Sequence, residues 1–132
     1  MPGHLPSRRA RQVDKKRRAG RYGRFAETLA AWSLRFKGYR ILARGYRCPA
    51  GEIDIIARRG GLLVFAEVKA RQDQAEAALA LRPNQTARIT RASQAFIQTR
   101  PPLAKLDIRF DVILVSPMRL PLHLVDAWRP EH

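Results

Sequence analysis

The sequence predicts a single α/β domain, with a mixed central sheet of about five strands flanked by helices in the order α-β-β-β-α-β-β. Three observations carry this reading. Gly51 to Arg71, GEIDIIARRGGLLVFAEVKAR, is a pair of apolar runs joined at Gly60-Gly61, a strong hairpin signal. Arg21 to Lys37 and Asn84 to Thr99 both repeat their apolar residues at helical period. Leu106 to Val115, LDIRFDVILV, becomes continuously apolar in its second half, as expected of a central strand covered on both faces. A chain of 132 residues suits one domain with a modest core.

Met1 to Gly20 sets Arg8, Arg9, Arg11, Lys15, Lys16, Arg17 and Arg18 against the single acid Asp14. With little to bury, residues 1–20 read as a disordered basic arm ahead of a domain over 21–132. The arm is either a source of sequence-independent phosphate contacts or a solubilising tail. In the first helix Tyr22, Phe25, Ala26, Leu29, Trp32, Ser33 and Phe36 form one stripe, the expected apolar face. Arg24, Thr28 and Arg35 mark the wet side, and Gly38 is a natural stop. Glu27 falls beside Ala30, Ala31 and Leu34 at the edge of the apolar face. It either aims toward the hairpin acids or pairs on the surface with Arg24 or Arg35.

Tyr39 to Arg47 reads as a first strand, and Cys48-Pro49-Ala50 turns the chain into the hairpin. Gln72 to Arg82 is alanine-rich without a clear pattern and reads as a loop or loose turn, with Asp73 and Glu76 near the edge of the site. Pro83 suits a helix start. Gln85, Ile89, Ala92, Phe96 and Thr99 then share a face, with Arg88, Arg91 and Arg100 elsewhere. Gln85 heads an otherwise inward stripe, and either reaches a water or phosphate or simply caps the first turn. Asp107, Arg109 and Asp111 share a side and read as a structural ion-pair row, the alternative being that Arg109 meets phosphate. Leu120 to Trp128 is a short last strand whose His123 has no ligand partner evident in the sequence.

A turn at the two glycines sets Arg59 against Leu62, Asp54 against Glu67 and Glu52 against Lys69. Alternation puts these four polar residues on one side, and Ile53, Ile55, Val64, Ala66 and Val68 on the other. Cross-strand neighbours lie roughly 4.5–5.5 Å apart at Cβ, so Asp54 and Glu67 repel unless a cation lies between them. Facing carboxylates suit a hard divalent ion such as Mg²⁺ (or Mn²⁺). Lys69, one pleat further on, is within reach of a water or phosphate beside that ion, and Glu52 would tune it by pairing.

The formal net charge of +15 favours a polyanionic partner, most simply nucleic acid, with an anionic membrane surface as the competitor. No apolar run approaches the length of a membrane span, which argues against insertion, and no apolar segment of signal-peptide type follows the basic start. Cys48 is the only cysteine, so internal disulfides and a cysteine-based zinc site are excluded. These features together point to a cytoplasmic protein.

Four ordered blocks, Ala26-Glu27, Gly51-Glu52-Ile53-Asp54, Phe65-Ala66-Glu67-Val68-Lys69-Ala70-Arg71 and Arg109-Phe110-Asp111-Val112, resemble the YraN-like bacterial family UPF0102, over roughly Gly20 to Trp128. More broadly, the Asp and Glu-x-Lys arrangement resembles the PD-(D/E)xK nucleases, with their restriction-endonuclease-like core, and the layout is similar to Holliday-junction resolvases. Ile53 stands where the superfamily motif has proline. The resemblance implies a Mg²⁺-dependent endonuclease acting on DNA, including branched or otherwise structured DNA, while the choice between DNA and RNA stays open in the sequence. Asp54, Glu67 and Glu27 would be metal ligands, with Lys69 and Gln85 catalytic. Arg71, Arg88 and Arg91 would join the basic arm in binding nucleic acid. Resolvase-like proteins work as homodimers, though no dimer surface is evident in the sequence. The alternative is a non-catalytic nucleic-acid-binding protein on a nuclease-like fold.

Overall fold

The computed structural model describes residues 24–70 and 83–130. The expected basic arm, Tyr22, Arg71 and the 72–82 stretch lie outside the described residues. The first helix, α1, occupies 24–36. It closes on Gly38, whose φ of +90° belongs to the left-handed region, while the Tyr39 N–H donates to the Leu34 carbonyl at 3.0 Å. The chain continues through β1 (Arg40–Cys48), β2 (Gly51–Arg59), β3 (Leu62–Ala70), α2 (Pro83–Thr99), a 3-10 turn (Pro101–Lys105), β4 (Asp107–Val115) and β5 (Leu122–Trp128).

The strands form one five-stranded sheet in the order β1-β2-β3-β4-β5, antiparallel except where β3 runs parallel to β4. Parallel neighbours need a crossover, and α2 lies on the connection that provides it. The hairpin has the expected register, from Arg59 opposite Leu62 to Ile55 opposite Ala66. Gly60 takes the left-handed φ of +60° that the tight turn requires.

Each face of the sheet has its own core. On one, Ala26, Ala30, Ala31 and Leu34 of α1 pack on Ile55, Ala57, Val64 and Ala66. On the other, Ile89, Ala92 and Phe96 of α2 pack on Ile56, Leu63, Phe65 and Phe110. The covered side of α1 is therefore its alanine–leucine side. Phe25, Trp32 and Phe36, expected to face inward, are 60, 54 and 89% exposed. This helix carries apolar residues on two sides, and the small alanines allow a closer approach to the sheet than a row of rings would. Glu27, beside Ala30 and Leu34, consequently sits on the covered side.

A second departure lies in β2. Ile55 joins the α1 core, whereas Ile53, two residues earlier and expected on the same face, joins the α2 core. The strand therefore rotates at Asp54. Gly45, between the pairs Arg44–Ile55 and Tyr46–Ile53 of the neighbouring strand, has a φ of +61° and accommodates the twist.

The β4–β5 ladder is interrupted between Phe110 and Val112, and Asp111 fills the gap. Its fully buried carboxylate accepts from Arg109 Nε at 2.8 Å and Nη2 at 2.7 Å, from His123 Nε2 at 2.6 Å and from the Asp126 N–H at 3.0 Å. Burial alone would raise the Asp111 pKa; the donors from His123, Arg109 and the Asp126 backbone instead hold it down at about 2. Arg109 also donates to the Tyr39 hydroxyl at 2.7 Å, which ties β4 to the segment entering β1. The expected Arg109–Asp111 ion pair is thus structural, and His123 acquires its partner only through the fold.

The inversion of α1 is open to a direct test by urea denaturation. Leu34→Ala is expected to cost about 2–5 kcal/mol, as for other buried leucines. Phe36→Ser, at the exposed stripe, should stay within about 0.5 kcal/mol of the parent. Equal losses at the two positions would return the aromatic stripe to the core.

Candidate active site

The rotation of β2 at Asp54 parts it from β3 and opens a cleft of about 670 Å³ between the hairpin and the start of α2. Beyond Ile55–Ala66 no further ladder pair forms; Asp54 Oδ2 instead accepts the Val68 N–H at 2.8 Å. The carboxylate thus takes the place of a backbone acceptor and stays beside β3. Glu67, only 8% exposed, lies next to it, and the two carboxyl groups are within hydrogen-bonding reach of each other.

Electrostatics here run opposite to those at Asp111. Burial, reinforced by the charge of Asp54 and opposed by that of Lys69, raises the Glu67 pKa to about 8. Burial likewise pushes Asp54 upward, against the lowering effect of the Val68 N–H. The pair therefore favours retaining a proton between its oxygens near neutral pH.

Lys69 and Gln85 close a ring around Glu67. Lys69 Nζ donates to Gln85 Oε1 at 2.8 Å, Gln85 Nε2 donates to Glu67 Oε1 at 2.8 Å, and Lys69 Nζ stands 3.4 Å from that same oxygen. Gln85 is thus neither a simple cap nor solvent-facing. A Cβ on Gly51 would stand 3.2 Å from the Arg88 carbonyl oxygen, tighter than ordinary contact, so glycine eases the close approach of the start of β2 to the α2 backbone. That contact holds the helix, and Gln85 with it, over the acids.

The remaining expected residues divide. Arg88 lines the cleft, together with Arg47 of β1, which the sequence reading did not single out. Arg91 lies outside it, among the residues of a different groove on α2. Glu27 pairs with neither Arg24 nor Arg35; Arg44 Nε of β1 donates to its Oε1 at 3.1 Å. Its charge still contributes to raising the Asp54 pKa. Glu52 pairs with Arg47 at 3.5 Å rather than with Lys69. Only the β1–β2 register, with Arg47 opposite Glu52, reveals Arg47 as a cleft cation; nothing in its local sequence marks it.

Among the described residues no three His, Cys, Asp or Glu side chains are grouped so as to hold a metal. Two are: Asp54 and Glu67 offer hard oxygen donors, buried side by side and, among the described residues, with few hydrogen-bond donors around them. This fits Mg²⁺, which takes one or two carboxylates and completes its shell with waters and substrate oxygens.

The chain matches the family described as "Uncharacterised protein family UPF0102" over residues 26–115, a span that contains all five of Glu27, Asp54, Glu67, Lys69 and Gln85. A UPF0102 protein of Parvibaculum lavamentivorans is 53% identical over 85% of this chain and 84% of its own length. One from Paramagnetospirillum magneticum is 48% identical over 94% and 95%, and one from Rhodopseudomonas palustris 51% identical over 83% and 85%.

The proton held by Glu67 makes metal-free stability depend on pH. Its folded pKa of about 8 exceeds the ordinary 4.5, so its contribution is complete below about pH 4.5 and is lost as pH rises through about 8. Asp111, shifted the other way, is fully ionised across that window and contributes no slope. Thermal unfolding in EDTA should therefore give a Tm that falls between about pH 5 and pH 8.5. Glu67→Gln should flatten the fall and melt above the parent at the alkaline end; a slope parallel to the parent's would contradict this account.

Proposed function

Because the chain belongs to the uncharacterised protein family UPF0102, we propose its function from its site: a metal-dependent endonuclease that hydrolyses phosphodiester bonds in DNA, branched or otherwise structured DNA included. The observation that carries this reading is the buried Asp54–Glu67 pair with Lys69 hydrogen-bonded beside it. Two carboxyls out of water at mutual hydrogen-bonding distance cost stability, and a purely structural site would surround them with donors as Asp111 is surrounded.

Asp54 and Glu67 would hold the Mg²⁺ (or Mn²⁺). When bound, such an ion supplies Lewis-acid polarisation of the phosphoryl oxygen and a lower pKa for the attacking water. Lys69 places its ammonium at the same edge of the pair, where it would orient the attacking water and offset charge developing on the phosphoryl oxygens. Gln85, donor to Glu67 and acceptor from Lys69, fixes both side chains and links them to α2. Glu27 stands behind Asp54 as an electrostatic neighbour, its carboxylate directed to Arg44. Arg47 and Arg88 on the cleft wall suit the flanking phosphates. A non-catalytic nucleic-acid-binding role draws on the +15 charge alone and leaves the cost of burying the acid pair without a return.

Supercoiled plasmid and four-way-junction DNA incubated with pure protein should be cleaved in Mg²⁺ or Mn²⁺ and spared in EDTA. Asp54→Asn and Lys69→Met should each slow cleavage about 100-fold or more without weakening DNA binding measured in EDTA. No cleavage of either substrate with either metal would leave the binding role in possession.

Metal alone gives an independent check. Mg²⁺ or Mn²⁺ should raise the Tm of the parent at about pH 8 and leave that of Glu67→Gln unmoved, since an ion that binds only the folded state stabilises it by mass action. Equal shifts in both proteins would place the ion elsewhere.

A further inference from the structure

Helix α2 walls two hollows. Gln85, Arg88 and Ile89 face the carboxylate cleft, whereas Thr86, Thr90 and Gln94, from the same turns and the one that follows, face a groove running toward β5. The larger part of that groove holds about 770 Å³, within the range of small-molecule and cofactor sites. Its apolar side is built from Ile97, Ile108, Phe110 and Trp128. The Trp128 indole stacks on Phe110 with centroids 5.1 Å apart and planes 27° apart, and Phe110 stacks in turn on buried Phe65 at 5.7 Å. The ring is thus anchored in the core while remaining half-buried at the groove. Ile108 is 46% exposed on the same surface.

The polar components are equally specific. Gln94 offers an amide from the helix wall, where the Thr90 hydroxyl donates to the Thr86 carbonyl at 2.8 Å and accepts the Trp128 indole N–H at 3.5 Å. Arg91 and Arg129 stand where the groove reaches the N-terminal half of α2, Arg129 paired with Asp126 at 2.8 Å. An anchored indole in an apolar trough, with the Gln94 amide on one wall and the Arg91 guanidinium at the rim, matches a nucleobase whose phosphate stays outside. Paired bases are stacked within their duplex and cannot enter. Arg129 is neutralised by Asp126 on the same lining, whereas a neutral apolar ligand would leave Arg91 at the rim without a role.

Building on the nuclease reading above, the geometry points to a binding site for an unpaired nucleotide: a base of the substrate strand seats against Trp128 while its backbone crosses the first turns of α2 into the carboxylate cleft. The substrate class is then single-stranded DNA, or duplex DNA with an unpaired flank beside the cleaved bond.

Binding in EDTA separates this inference from the nuclease reading, because no cleavage is needed for it. In a Trp32→Phe background Trp128 is the one tryptophan left, and saturating dT12 should quench its selectively excited emission where a blunt duplex of matching length does not. Trp128→Ala should weaken dT12 binding about 5- to 100-fold, the range for one stacked base, with duplex affinity unchanged. Since Trp128 also packs on Phe110, Ile108→Glu is the second variant: it sets a carboxylate at an exposed groove position and should bring a selective loss of at least about 5-fold. Absence of quenching, no dT12 binding, or equal losses for single strand and duplex would each overturn the site. Cleavage that fails in Mg²⁺ while these effects hold would remove the nuclease reading and leave the groove standing.

Discussion

The arrangement around the cleft depends on keeping two carboxyl groups out of water at the point where a hairpin comes apart. Burial raises both pKa values, and the surrounding groups limit the cost without removing it. The Val68 N–H anchors Asp54, Lys69 and Gln85 share one oxygen of Glu67, and Gly51 lets α2 come close enough for Gln85 to reach. None of these contacts would exist if β2 and β3 continued as a regular ladder. The twist at Asp54, accommodated by Gly45 on the neighbouring strand, turns an ordinary hairpin into a site.

The sheet contains its own control. Asp111 is the β4 partner of Ala66, the residue immediately before Glu67, and is at least as deeply buried. Yet it is held at about 2 while Glu67 is raised to about 8. The difference lies in the donors. Asp111 accepts from a bidentate arginine, an imidazole and a backbone N–H, so its charge is fully solvated by protein. It functions as a clamp that closes a break between β4 and β5. Glu67 shares its neighbourhood with another acid and, among the described residues, has Lys69 as its one cationic neighbour at 3.4 Å; that balance is the physical distinction between a structural carboxylate and one disposed to take a cation.

Helix α2 ties these features together. One flank delivers Gln85 and Arg88 to the cleft, its apolar stripe packs on Phe65 and Phe110, and its other flank forms the wall opposite Trp128. The aromatic stack from Phe65 through Phe110 to Trp128 therefore connects the interior of the domain to its second hollow. On the far face of the sheet, α1 turns its alanines inward and leaves Phe25, Trp32 and Phe36 in solvent. Exposed aromatic surface of this kind is uncommon on a monomer that meets no other molecule.

Local chemistry was enough to determine much of this protein from its sequence. Gly60-Gly61 set the hairpin register, Pro83 and Gly38 bounded the helices, and the two-residue pleat put Glu67 and Lys69 on one side of β3, because turn geometry and strand period act over a few residues. The tertiary structure decided what covers what. Helical period marked an apolar stripe on α1 but could not say that the alanine side, rather than the aromatic side, would meet the sheet, since that depends on how closely two elements pack. It also decided that Ile53 would leave the face of Ile55, that Arg44 and not Arg24 or Arg35 would claim Glu27, and that Trp128 would stand across a groove from α2. Each of these joins residues far apart in the chain, and no local pattern encodes the distance between them.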